Sequence, residues 1–124
     1  MKTIGYGCLI LALVVLVGCN SAEVKAVRAM PINHVDLAQV KDGTYYGDYA
    51  YGGFTYEVAV TVADHRINDI AVVKNRTTSP AKKAEGALKR VLEQQRNDAD
   101  AVSGATTTSK ALLKAVENAL TKGL

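Results

Sequence analysis

The order of apolar and polar positions divides the chain into stretches of different character. From Ile4 to Val17 nearly every residue is apolar, "IGYGCLILALVVLV". The run falls short of the roughly 20 residues a membrane-spanning helix needs, and it suits the core of a signal peptide. From Phe54 to Ala63 the pattern alternates: Phe54, Tyr56, Val58, Val60 and Val62 fall on one face, and Thr55, Glu57, Ala59, Thr61 and Ala63 on the other. A period of two with one apolar face predicts a half-buried strand. Asp64-His65-Arg66 then predicts a tight turn with His65 at positive φ, and "INDIAVVK" (residues 67–74) the returning strand. Upstream, "GTYYGDYAYGGFTYEV" reads as another strand, broken by Gly47, Gly52 and Gly53. After Pro80 the period turns helical, with Ala84, Leu88, Val91, Leu92 and Gln95 on one side. Leu112, Leu113, Val116, Ala119 and Leu120 predict a second helix, with Gly123 as its stop. The expected fold is α+β, a small twisted antiparallel sheet packed with two C-terminal helices.

The N-terminal end sets location. Leu16-Val17-Gly18-Cys19 resembles a bacterial lipobox, in which the cysteine is lipidated and becomes the new N-terminus. This divides the chain into a signal peptide (residues 1–18), a lipidated N-terminus and polar stalk (19–39), and one small domain (40–124). Pro31 to Asp42 is expected to lie across that domain as an irregular segment. The protein is then exported and tethered by lipid at Cys19, and with Cys8 removed the folded part holds no thiol for a disulfide or a metal. His34 and His65 are the only histidines, so no metal site is expected.

Composition removes further classes. The net charge of +3 is spread without a basic stripe or an aromatic-basic motif, so nucleic acid is not an expected partner. Lys82, Lys83, Lys89 and Arg90 read as a solvated helix face. No Ser-His-Asp set or cysteine nucleophile suggests independent catalysis.

The stretch with most chemistry is "DAVSGATTTSK", Asp100 to Lys110, at the mouth of the last helix. A helix start offers unpaired N–H groups and partial positive charge, and so attracts anions, phosphate above all. Gly104 and Ala105 remove bulk there, while Ser103, Thr106, Thr107 and Thr108 bring hydroxyls within reach. The competing reading is plain capping of the helix by one threonine. Five of the six tyrosines, Tyr45, Tyr46, Tyr49, Tyr51 and Tyr56, fall in the first strand region and the start of the next. They read either as cross-strand packing or as a stacking wall for a flat ring.

Asp100-Ala101-Val102-Ser103-Gly104-Ala105-Thr106 matches the D-x-x-S-G-A-T motif, and through it the chain resembles the FMN-binding domain family. That family includes flavin subunits of Rnf-type and sodium-pumping quinone reductase complexes. The likeness extends over "DGTYYGDY", the "VAVTVADHRINDIAVV" hairpin and "TSKALLKAVENAL". It implies that a flavin transferase joins FMN phosphate to the hydroxyl of Thr106. Asp100, Ser103, Gly104, Ala105 and Thr107 then form the surrounding site, and Tyr49, Tyr51, Thr77 and Thr78 are candidate flavin contacts. His65 replaces the usual turn glycine, and "NRTTSPAKKAEG" (Asn75 to Gly86) stands where the family often has a Glu-Thr-Pro-Gly-like stretch. The implied protein is an electron carrier, more than an independent enzyme, working between membrane or exported redox partners. Three alternatives remain at this point: a non-redox envelope lipoprotein that binds a protein or ligand, a reductase domain acting directly on a small acceptor, for which the chain is small, and a non-covalent FMN binder.

Overall fold

The computed structural model describes residues 22–124. Cys19 and the expected signal peptide lie outside the described residues. The alternating stretch Phe54–Ala63 is strand β2, the centre of a three-stranded antiparallel sheet. Its neighbours are β1 (Gly43–Tyr51) and β3 (Arg66–Lys74). Tyr56, Val58, Val60 and Val62 are fully buried on the face the alternation assigns to the core. The β2–β3 turn is the two-residue pair Asp64-His65, with φ of 52° and 62°. Positive φ at both positions is the hairpin geometry whose twist matches the flanking strands. Asp42 Oδ1 holds this turn by accepting the Asp64 N–H at 3.0 Å.

The alternation fails in β3, and two bulges account for it. Val62 and Thr61 face Ile67 and Asp69, leaving Asn68 as an extra residue; Val58 and Glu57 face Val72 and Lys74, leaving Val73 as another. An added residue shifts the side-chain alternation by one. Ile67 thereby joins Ile70 and Val72 opposite Val62, Val60 and Val58 in the core, while Val73 is left 45 % exposed.

Helices cover one face of this sheet. The long helix α4 (Thr106–Thr121) lies over β1 and β2, burying Leu112, Leu113, Val116 and Leu120 as its periodicity predicts. It crosses β1 at Gly47, which does not interrupt the strand. A Cβ there would fall 2.7 Å from Ala119 Cβ, and would collide with the Ala115 carbonyl and the Ala119 amide. Glycine is therefore what lets backbone meet backbone at this crossing. β1 is an edge strand, and α4 covers its free carbonyls: Asn118 Nδ2 donates to Asp48 O at 2.8 Å, and Lys122 Nζ to Tyr46 O.

The helix expected after Pro80 is two helices. We label them α2 (Ser79–Ala84) and α3 (Gly86–Gln94), broken at Glu85. Glu85 N–H turns back to the Lys82 and Lys83 carbonyls, and its carboxylate is taken by Asn75 Nδ2 at 2.7 Å. The break sets Gly86 where a Cβ would stand only 3.4 Å from Val102 Cγ2. Gln95 ends α3 in the left-handed region at φ 57°, and its amide then acts as an added piece of sheet. Its Oε1 accepts the Ile67 N–H at 2.8 Å, and its Nε2 donates to the carbonyls of Ile67 and Leu92 at 2.9 and 2.8 Å.

Pro31 to Asp42 crosses the domain irregularly, as expected, apart from a short 3-10 turn at Leu37–Gln39 capped by Asp36. Buried side chains take the place of a strand partner. Asn97 Oδ1 accepts the Val35 N–H at 2.8 Å, and Glu117 Oε1 accepts the Asn33 N–H at 2.6 Å. The segment before it departs from a free spacer. Residues 22–29 form a helix, α1, whose Val27 is 2 % exposed and whose Glu23 and Arg28 bond to the domain at Gly52 and Thr107. The mixed composition that suggested a stalk contains two valines three residues apart on one side of a helix, Val24 half-buried and Val27 buried.

Two outcomes follow for stability. Gly47→Ala should destabilise the domain by about 2–3 kcal/mol through overpacking against rigid backbone, read as a fall in urea midpoint at unchanged m-value. Gln95→Ala should cost about 2 kcal/mol, because it strands the Ile67 backbone groups, and equilibrium unfolding measures it directly.

Candidate functional site

Val102 to Ala105 is a tight turn closed by the Ala105 N–H on the Val102 carbonyl at 3.0 Å, with Gly104 at φ +82°. An L side chain is strained at that angle. Buried Ser109 locks the turn from inside the helix, its Oγ accepting the Val102 N–H at 3.1 Å. Outside, Arg90 Nη1 donates to the carbonyls of Asp100 and Ala101, both at 3.0 Å. A residue read as part of a solvated face thus fixes the loop. The Asp100 side chain itself is exposed and makes no hydrogen bond among the described residues.

The turn delivers the chain to α4 with Ala105 as its N-cap, so no side chain caps the helix. This decides against plain threonine capping. The first helical bond runs from Ser109 N–H to Ala105 O at 2.9 Å. The N–H groups of Thr106, Thr107 and Thr108 therefore have no acceptor among the described residues. The first turn also carries no acidic side chain to meet the helix dipole. Thr106 is half-buried at the first helical position, beside Thr107 and Thr108; Ser103 and Gly104 are exposed on the turn.

Two cations from other helices reach this start. Lys83 Nζ of α2 stands 3.5 Å from where a Gly104 Cβ would be. Arg28 Nε of α1 donates to Thr107 Oγ1 at 2.9 Å. The sequence pattern identified neither: Lys83 sits in a run of basic residues, and Arg28 is 79 positions away from its partner.

The ring-bearing side chains gather at the β1–β2 hairpin. Tyr51 and Tyr56 stack at 5.9 Å between centroids and 9° between planes, and Phe54 meets Tyr56 edge-on at 4.9 Å. Arg76, in the loop after β3, lies over all three rings, 4.9 Å from that of Phe54. Its Nε donates to Tyr56 Oη at 2.8 Å and its Nη2 to Gly52 O at 3.1 Å. Burial, with the adjacent Tyr56, holds the Tyr51 phenol above its ordinary pKa. The other tyrosines disperse: Tyr45 bonds the Lys41 carbonyl at 2.7 Å, Tyr46 is 53 % exposed on the far face, and Tyr49 is half-buried on the helix side. Thr78 caps α2 through its Oγ1, and Thr77 is exposed beside it. The Asn75 amide oxygen nearby is buried with no hydrogen-bond partner among the described residues.

One direction relates these groups. Gly47 of β1 meets Ala115 and Ala119 of α4, while Gly123, beyond the helix, lies against Tyr45. The helix therefore runs antiparallel to β1, and its start lies toward the hairpin end, where Tyr51 and Phe54 are. Helix α1 ties both places: Glu23 Oε1 accepts the Gly52 N–H at 2.8 Å, and Arg28 reaches Thr107. Five residues of helix rise about 7.5 Å, so one short element links the aromatic group to the start of α4.

A family model described as FMN-binding domain matches residues 51–121, which takes in Tyr51, β2, β3, Arg76, the motif turn and all of α4. An uncharacterized protein of Treponema pallidum (strain Nichols) is 33 % identical over 85 residues, 67 % of this chain and 24 % of that protein. The chain thus spans about a quarter of that relative's length. The match covers more than half of the sequence and includes the motif loop with the helix it opens: the chain belongs to the FMN-binding domain family.

Proposed function

We propose that the protein is an exported, lipid-tethered electron carrier holding FMN through a phosphoester at Thr106 Oγ. The observation that supports this best is the side-chain-free cap at Ala105, which leaves the first-turn N–H groups unclaimed around a half-buried threonine. The donor set fits the group. A phosphodiester carries about one negative charge, and a helix start stabilises such a charge by about 0.3–1 kcal/mol, more where partly buried. Gly104 leaves room for phosphate oxygens against the backbone, and the Lys83 ammonium adds a point charge at that spot.

Each residue then has a task. Thr106 supplies the oxygen: its hydroxyl, losing its proton, displaces the mononucleotide half of a flavin dinucleotide at the flavin-side phosphorus, so an O–P bond forms as the P–O–P bridge breaks, and the chain gains the mass of FMN less water. Gly104 and Ala105 bring the backbone close, and Ser109 and Arg90 hold the turn in shape. Asp100, exposed and unbonded among the described residues, is available to the flavin transferase as a recognition carboxylate. Tyr51 and Phe54, with Arg76 laid over them, are suited to line the flavin ring, with Tyr49, Thr77 and Thr78 as neighbours. FMN would supply the redox chemistry, taking up and giving back one or two electrons at its ring.

Tethering follows the same logic. A covalent bond keeps the cofactor at a fixed effective concentration outside the cytoplasm, where released FMN would be lost. Lipid on Cys19 would keep the domain near membrane or exported donors and acceptors.

Made in an exporting host with an active flavin transferase, the full chain should give a fluorescent band after denaturation. Its intact mass should be raised by FMN less water. Thr106→Ala should abolish both signals, and Thr108→Ala should keep them; equal flavin on the two variants would contradict the assignment. Gly104→Val should lower the flavinylated fraction at least tenfold in the same assay, at an exposed site whose backbone strain costs only about 1–2 kcal/mol of stability.

A further inference from the structure

The family match begins at residue 51, so helix α1 is not part of it. Yet α1 places a guanidinium on the first turn of α4, through the 2.9 Å bond from Arg28 Nε to Thr107 Oγ1. Nothing in the packing of α1 requires that reach. The segment is already anchored by Glu23 on the Gly52 N–H and by the Met30 carbonyl, which takes Lys110 Nζ at 3.0 Å. Arginine carries five N–H donors in a fixed fork shaped for phosphate. Arg28 spends one on Thr107, and those on Nη1 and Nη2 have no acceptor among the described residues. Thr107 adjoins Thr106 at the open start of the helix, and Lys83 stands on the Gly104 side of the same start. Two cations from separate helices therefore approach a helix start that has no acidic residue in its first turn.

We propose that Arg28 is a phosphate-binding residue of this site, supplied by a helix outside the family domain, and that the flavin phosphate in turn clamps α1 to the domain. The proposal rests on the reading of Thr106 as the attachment point. Coupling between two binding events is reciprocal, so whatever α1 contributes to holding the phosphate, the phosphate contributes to holding α1. The docked state of the segment that follows the expected lipid anchor then reports whether the carrier is loaded.

The test is amide hydrogen exchange over residues 22–30 of the full chain, before and after flavin transfer, with intact mass recording the flavinylated fraction. Flavinylation should slow exchange in this segment about tenfold, within the usual range of coupling between sites. Arg28→Ala should remove that increment while Thr106 still gains the flavin mass. Arg28→Lys, which keeps the charge and loses the fork, should retain only part of it. Glu23→Gln serves as the structural comparison: it should speed exchange equally in the loaded and unloaded forms and leave the increment intact. Equal exchange with and without flavin in the unmodified sequence would overturn the proposal, as would a full increment in Arg28→Ala. Absence of the flavin mass from the unmodified sequence would instead overturn the attachment reading, and this proposal with it.

Discussion

The contact between Gly47 of β1 and the backbone of α4 at Ala115 and Ala119 is the constraint on which the rest of the molecule depends. With no side chain at that crossing, the helix lies close enough for Leu112, Leu113, Val116 and Leu120 to close the core over β2. Its polar residues then reach the β1 edge, where Asn118 and Lys122 cover carbonyls that an edge strand would otherwise offer to another chain. The crossing also fixes direction, aiming the start of α4 toward the hairpin end of the sheet. A three-stranded sheet has little stability of its own, so this single helix both builds the core and carries the motif loop at its start.

At that start the protein departs from ordinary helix design. Most helices begin with a residue whose side chain satisfies an orphan N–H. Here Ala105 holds that place, and nothing in the first turn balances the dipole. The surroundings are nevertheless tightly built, with Ser109 bonded to the turn from within and Arg90 from without. A rigid frame around unclaimed donors is the arrangement expected of a site that receives an anion already shaped by the backbone.

Much of this was legible in the sequence because it was local. The β2 alternation, the turn with His65 at positive φ and the periodicity of α4 each depend on near neighbours. The motif loop was equally readable, since Gly104 and the hydroxyls around it advertise a backbone turn at a helix mouth. What escaped was decided by distant partners. Ile67 looks out of step until Asn68 is seen as a bulge, and at the break between α2 and α3 the Glu85 carboxylate is held by Asn75, ten residues away. Lys83 and Arg90 read as a solvated face and Arg28 fell in the expected stalk, yet each acquires a place at the α4 start from folding that joins remote segments. The N-terminal helix is the plainest case: Val24 and Val27 alone are too short a pattern to predict packing, and the bonds of Glu23 to Gly52 and of Arg28 to Thr107 turn an expected stalk into a docked helix.

The central claim is that one particular threonine at the helix start is the point of attachment. Trypsin cuts after Arg96 and Lys110, releasing residues 97–110 with Ser103, Thr106, Thr107, Thr108 and Ser109 on one peptide. Fragmentation of that peptide, from full chain made alongside a flavin transferase, locates the added mass by residue. The account predicts FMN less water on Thr106 alone. The same mass on Ser103, Thr107 or Thr108, or an unmodified peptide from cells whose transferase is active, would contradict it.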